Sequence, residues 1–386
     1  MMTAESPDPT TDRLTPDSYV PYLCRSTPRI HEFRGASPQD VAQWQADFRP
    51  VLRHLLGLDA IAERGTCDLA PELHGTETFS DHVREEWTIE SEPDFRFPFY
   101  LLRPPVDANR AEGSVAEGSV AADSCPLVIT PHGHGKSGKR VYVGIADTDS
   151  DREQIEDGER DIALQAVRQG YVAIAPDMRA FADLRRAHER ERDHTCSCRT
   201  MQMHALLFGR TLVGERVHDV GRLIDFAGTQ PGVDTSRIAI TGNSGGGTVS
   251  LFAAACDGRI TAAVPGSYFC TFEHSIGSIH HCECNYIPGI LRHAEMWDVA
   301  GLIAPRPFLA VAGTEDPIFP VDAVRASFAH LLEIYEAAGA SAWCRLSVNE
   351  GGHRYYKRDV WPFITRSFAA AGPAGARETR HGSTGS

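Results

Sequence analysis

Three short stretches of the 386-residue chain carry side chains suited to nucleophilic catalysis. Gly242-Asn243-Ser244-Gly245-Gly246 is a G-x-S-x-G turn between an apolar run, Arg237 to Thr241, and an apolar helical stretch, Thr248 to Ala255. A strand that turns at once into a helix brings backbones close together, and side chains at the flanking glycines would clash. Gly313-Thr314-Glu315-Asp316-Pro317 and Glu350-Gly351-Gly352-His353 each follow a later apolar run. A serine hydroxyl is hardly ionised near neutrality, so a neutral imidazole must take its proton during attack and return it to the leaving group. A carboxylate then fixes the tautomer and stabilises the imidazolium. Ser244 as nucleophile, His353 as base then acid, and Asp316 as orienter fit these roles, with Glu315 as the substitute acid. The competing readings are a glycine-rich turn, a surface-loop histidine and a turn carboxylate before Pro317.

A fourth stretch, Pro131-His132-Gly133-His134-Gly135-Lys136, also follows an apolar run. Main-chain N–H groups there are fixed dipoles able to face the charge that develops on a carbonyl oxygen. The backbone N–H groups of His134 and Gly245 are the candidate oxyanion donors, and His132, Tyr268 and Phe269 are candidate substrate-binding residues. A phosphate-loop reading fails on spacing. G-x-x-x-x-G-K-[ST] ending at Ser137 would need glycine where Thr130 stands, and after Lys139 it meets Arg140. Val141 to Ile145 reads as β-like where that motif needs a helix. No cofactor is expected.

Two clusters, His194-Thr195-Cys196-Ser197-Cys198 and His280-His281-Cys282-Glu283-Cys284, lie in long segments after strands. Four thiols with flanking imidazoles could form a tetrahedral zinc site, or a disulfide or redox pair. Paired structural-zinc cysteines usually have two or more residues between them, and these have one. The expectation is therefore buried or partly buried thiols and no metal. The segment 266–297, with Tyr268, Phe269, Phe272 and Tyr286, is expected to be a lid-like insertion that shapes specificity. Asp177 and Arg179, after another strand, are expected to form a structural ion pair beneath the site.

These groups need a scaffold that brings strand ends together. Short apolar runs at Leu127 to Thr130, Tyr171 to Ala175, Arg237 to Thr241, Ala262 to Pro265, Phe308 to Ala312 and Ala342 to Leu346 alternate with helical stretches. Continuous apolar runs suit parallel strands covered on both faces. The helices show stripes such as Val213, Val217, Val220 and Ile224, or Val324, Phe328, Leu331 and Tyr335 before Gly339. The fold class is α/β: a mostly parallel central sheet flanked by helices, whose ligands bind beyond the carboxyl ends of the strands. Val83 to Glu90 and Phe95 to Leu102 form an antiparallel lead-in. A helix is expected from Ser37, with Pro38 in its first turn, Asp40 completing a capping box, and Gly57 near its end. The division is tails at 1–14 and 371–386, an N-terminal helical extension at 15–80, and a catalytic domain at 81–370. A tandem AEGSV repeat at 111–120 reads as a surface insertion.

With 38 Lys and Arg against 52 Asp and Glu, the formal charge is −14, the wrong sign for binding nucleic acid or anionic lipid. No run of about 18 apolar residues and no signal-peptide pattern is present, so a cytoplasmic protein with a small or neutral partner and reduced thiols is expected.

The chain resembles the α/β-hydrolase superfamily, and within it the branch of acetyl xylan esterases, dienelactone-hydrolase-like proteins and prolyl oligopeptidase catalytic domains. The resemblance covers residues 80–370. It rests on His132-Gly133, Ala175-Pro176-Asp177-Met178-Arg179, Val233-Asp234-Thr235-Ser236-Arg237, the Ser244 turn, Gly313-Thr314-Glu315-Asp316-Pro317 and Gly352-His353. It implies a serine hydrolase without a cofactor, acting on acetylated sugars or other small-molecule acyl esters. Arg179-Ala180-Phe181 stands where acetyl xylan esterases usually have Arg-Gly-Gln, and Asn243 departs from their usual elbow. A prolyl-oligopeptidase-type peptidase is the nearest rival, though that group places a β-propeller before the catalytic domain and the preceding residues here read as helical. A receptor that has lost its triad is the rival from another class.

Overall fold

The computed structural model describes residues 15–105 and 124–372. The AEGSV repeat and nearly all of both expected tails lie outside the described residues. Helices α1 (Pro16–Ser26), α2 (Pro38–Leu55) and α3 (Leu58–Ala62) precede strands β1 (Glu72–Thr78), β2 (Val83–Glu92) and β3 (Phe95–Arg103). Then β4 (Cys125–Ile129) leads into α4 (Lys139–Tyr142), α5 (Asp149–Glu156) and α6 (Ile162–Arg168). Next, β5 (Val172–Pro176) leads into α7 (Ala187–Glu191), α8 (Cys198–Leu207) and α9 (Leu212–Ala227). After these come β6 (Val233–Asn243) with α10 (Gly245–Cys256), β7 (Ala262–Gly266) with α11 (Met296–Gly301), β8 (Phe308–Gly313) with α12 (Val321–Ala337), and β9 (Cys344–Asn349) with α13 (Val360–Ala371).

The strands form one nine-stranded sheet in the order β1-β2-β3-β5-β4-β6-β7-β8-β9. From β5 to β9 all neighbours are parallel, while β1, β2 and β3 add antiparallel pairs at one edge. Successive side chains of a strand point to opposite faces, so a strand buried on both sides must be apolar throughout. Leu127, Ile129, Ile238, Ile240, Phe308 and Ala310 enter one core with α2, α9, α10 and α12. Val128, Ala239, Leu309 and Val311 enter a second core with α6 and α13. This is the mostly parallel α/β architecture expected from the sequence.

Two local expectations change. Residues 72–78, assigned to the helical extension, form β1; every residue in it is exposed, so pairing with β2 and not a buried face fixes it. Val141 and Tyr142, the start of the stretch 141–145 read as β-like, belong to a helical turn, Lys139–Tyr142, whose first residue folds back to bind a buried carboxylate.

Helix α2 begins with the expected box: the Ser37 side chain accepts from the Asp40 N–H, and Asp40 accepts from the Ser37 N–H. Its inner face buries Phe48 and Leu52 completely. Its outer flank is pinned by Arg49, which donates to the Ala255 carbonyl at 2.9 Å and the Leu302 carbonyl at 2.7 Å, capping the ends of α10 and α11. The N-terminal helix is thus part of the core that supports the helix after Ser244. Replacing Phe48 by Ala should lower stability in denaturant unfolding by about 3–5 kcal/mol. A loss below about 1 kcal/mol would show that α2 is an appendage.

Candidate active site

The turn between β6 and α10 places Ser244 at φ 58° and ψ −118°, a strained conformation for a side-chain-bearing residue. The Ser244 N–H donates to the Gly266 carbonyl at 2.9 Å, and its own carbonyl starts the helix by accepting from Thr248 N–H. A Cβ on Gly242 would lie 2.2 Å from the Pro131 carbonyl oxygen, and one on Gly246 would lie 2.0 Å from it. Both glycines are therefore steric requirements.

Asp316 and His353 meet on the loops after β8 and β9. His353 Nδ1 lies 2.8 Å from Asp316 Oδ2, and Asp316 Oδ1 accepts the backbone N–H groups of Ile318 and Phe319 at 2.9 and 3.1 Å. The Asp316 carboxylate is buried beside His353, whereas Glu315 is exposed. The Phe319 ring stacks on the imidazole at 5.8 Å between centroids. Ser244 and His353 line one cavity of about 240 Å³ with His132, His134, Gln154, Arg160 and Asn243. Among the described residues no direct Ser244–His353 hydrogen bond is formed. Such bonds are often long before substrate arrives.

The loop after β4 lies against the elbow: a Cβ on Gly133 would sit 3.2 Å from Gly245 N. The first N–H of α10 has no partner in its own helix, and no acceptor among the described residues takes the His134 N–H. His134 lines the cavity, and Gly245 follows the cavity-lining Ser244 in the chain.

Of the three expected substrate-binding side chains, His132 lines the Ser244 cavity and Tyr268 and Phe269 do not. His132 is 1% exposed, with Nε2 3.1 Å from the Met178 N and Nδ1 2.7 Å from the Gly133 carbonyl, so it braces the loop. Tyr268 packs between Phe252 and Phe319, and Phe269 packs on Phe308. Neither ring lines the Ser244 cavity. No residue of the segment 266–297 lines the Ser244 cavity, and Cys284 Sγ in it lies 3.7 Å from His134 Nε2. The opposite wall comes from residues the sequence did not single out: Gln154 and Arg160, joined at 3.1 Å, and Tyr142, whose hydroxyl accepts the Asn243 N–H. A shared polar cleft of about 850 Å³, with Lys136, Thr148, Ser150 and Glu153, continues outward from His134 and His353.

Asp177 and Arg179 do not pair with each other. Fully buried Asp177 takes Lys139 Nζ at 2.7 Å and Lys139 N at 3.1 Å, with His132 Nε2 at 3.3 Å. Arg179 forms a fork with Asp219 at 2.8 and 2.7 Å and reaches Glu92. Burial alone would raise the Asp177 pKa, but His132 and Lys139 outweigh it and hold it near 2, below the ordinary 3.8. The unfolded chain therefore takes up this proton first as pH falls, so the stabilisation is present above about pH 4 and lost toward pH 2. The stability gap between wild type and Asp177→Asn, measured in urea, should be full at pH 5 to 7 and narrow as pH falls below about 4. A gap independent of pH would contradict this charge assignment.

Residues 153–338 match the model of the Dienelactone hydrolase family. A Bacillus subtilis (strain 168) protein provisionally named hydrolase YtaP is 26% identical over 321 residues, covering 80% of this chain and 94% of its own. Among solved structures, a Bacteroides fragilis protein provisionally described as an acetyl xylan esterase superposes with a TM-score of 0.70 at 17% identity, over 92% of this chain and 86% of its own. A glucuronoyl esterase from Solibacter usitatus gives 0.59 at 13% identity, over 89% and 98%. These likenesses show the α/β-hydrolase fold, and within it residues 153–338 are similar to the Dienelactone hydrolase family.

Proposed function

We propose that the protein is a serine hydrolase that cleaves a small acyl ester of a polar alcohol through an acyl-enzyme. The observation that carries this reading is the His353–Asp316 hydrogen bond at the rim of the cavity that holds the strained Ser244. The family match and neighbours named as esterases support ester cleavage as the class of reaction.

In this reading His353 Nε2 takes the Ser244 proton as Oγ attacks the acyl carbon. Asp316 holds Nδ1–H and stabilises the imidazolium. The oxyanion is met by the N–H groups of His134 and Gly245; losing one such donor typically costs about 10²- to 10³-fold in rate. His353 then protonates the departing alkoxide, and a water deprotonated by the same imidazole releases the acid. The cavity of about 240 Å³ suits a short acyl group. The outer cleft of hydroxyls, carboxylates, Lys136 and Arg160 suits a hydroxyl-rich alcohol such as a sugar.

A fluorophosphonate probe should label wild type at Ser244 and leave a folded Ser244→Ala variant unlabelled, and that variant should lose more than about 10⁴-fold in kcat on short p-nitrophenyl esters. Unlabelled wild type would favour a binding protein, and activity on proline-linked amides alone would favour a peptidase.

A further inference from the structure

We propose that His134, Cys198, Cys282 and Cys284 bind one zinc ion in a closed tetrahedral site that fastens the loop after β4 to α8 and to the segment after β7. The four ligand atoms come from three parts of the chain and all lie within 4.8 Å of one another. Cys282 and Cys284 Sγ are 3.5 Å apart, and His134 Nε2 is 3.7 Å from Cys284 Sγ and 3.9 Å from Cys198 Sγ. With Zn–S near 2.3 Å and Zn–N near 2.0–2.1 Å, the edges of a tetrahedron are about 3.5–3.8 Å. The sulfurs are too far apart for a disulfide, whose bond is about 2.05 Å.

Charge gives an independent argument. Arg216 is fully buried and has no carboxylate partner among the described residues. Its guanidinium donates to the Arg179 carbonyl at 3.0 and 2.7 Å and to Cys198 Sγ at 3.5 Å, and Nη1 has no hydrogen-bond partner. A buried cation requires a counter-charge. Zinc-bound cysteines are thiolates, so three of them with one neutral imidazole and Zn²⁺ carry a single negative charge. That charge neutralises Arg216, whereas four neutral ligands would leave it unpaired.

The surroundings also suit a metal centre. Asn285 Nδ2 donates to Cys284 Sγ at 3.6 Å, while Asn285 Oδ1 accepts from Thr248 on α10 at 3.1 Å. Such outer partners orient metal ligands. Four protein ligands leave no open position, so the ion is structural. Metal on Nε2 also fixes the proton on Nδ1, the ring nitrogen that lies nearest the Cβ position of Gly245. Cys196 lies beside Cys198 and Cys282 but is not one of the four. The one-residue spacing that argued against zinc in the sequence counted ligands only along the chain, and His134 comes from elsewhere.

The test is metal analysis of untagged, full-length protein purified in reductant without chelator, which needs no ester substrate and so fails separately from the hydrolase reading. About one zinc per chain is expected, falling below about 0.1 in Cys198→Ser and Cys284→Ser and retained in Cys196→Ser. If the first two variants do not fold, cobalt-substituted wild type should show thiolate-to-cobalt charge transfer and intense tetrahedral d–d bands. Wild type below about 0.1 zinc with no such cobalt spectrum, or zinc lost from Cys196→Ser alone, would overturn the assignment.

Discussion

The carbonyl oxygen of Pro131 occupies the space that a side chain on either Gly242 or Gly246 would need. That contact between the end of β4 and the β6–α10 turn lets two backbones pass within van der Waals distance. It brings the His134 loop beside Gly245, sets Ser244 at positive φ, and exposes its hydroxyl at the carboxyl edge of the sheet. Strain at such a residue typically costs about 1–3 kcal/mol, which the surrounding structure must offset. Here the offset comes from the continuous strands on either side, the fully buried α10, and the α2 residues that cap its far end.

Buried charges hold the loops that carry the site. Lys139 folds back onto Asp177 and fixes the turn after His134, while His132 closes the same loop from below. Arg179 ties the end of β5 to α9 through Asp219 and to β2 through Glu92. Each pair is desolvated, so removing one partner strands the other at a typical cost of about 3–5 kcal/mol. In the proposed mechanism this rigidity would supply fixed dipoles that need not reorganise when an oxyanion forms.

Much of this was legible in the sequence because it rests on local rules. Strands covered on both faces must be apolar throughout, the elbow needs its glycines, and Asp316 and His353 each follow a strand that such patterns reveal. What escaped depends on distant partners. Tyr268 and Phe269 looked like pocket residues, but the composition of a segment does not say which way its rings turn. Asp177 and Arg179 stand two apart yet take partners from α4 and α9, which spacing along one strand end cannot reveal. Strand β1 has no buried face and hence no alternation to read, and the stretch 141–145 looked β-like although its first two residues, Val141 and Tyr142, close a single helical turn. The cysteine clusters were visible, but their convergence on His134 was not.

The central claim is that Ser244 is transiently acylated with His353 moving the proton. Stopped-flow hydrolysis of p-nitrophenyl acetate measures it directly. A burst of about one equivalent of nitrophenolate per chain, absent in Ser244→Ala, with the matching acetyl mass on the Ser244 peptide after rapid acid quench, is the predicted result. A burst that survives in Ser244→Ala, or steady hydrolysis by wild type with no acetylated Ser244, would contradict it.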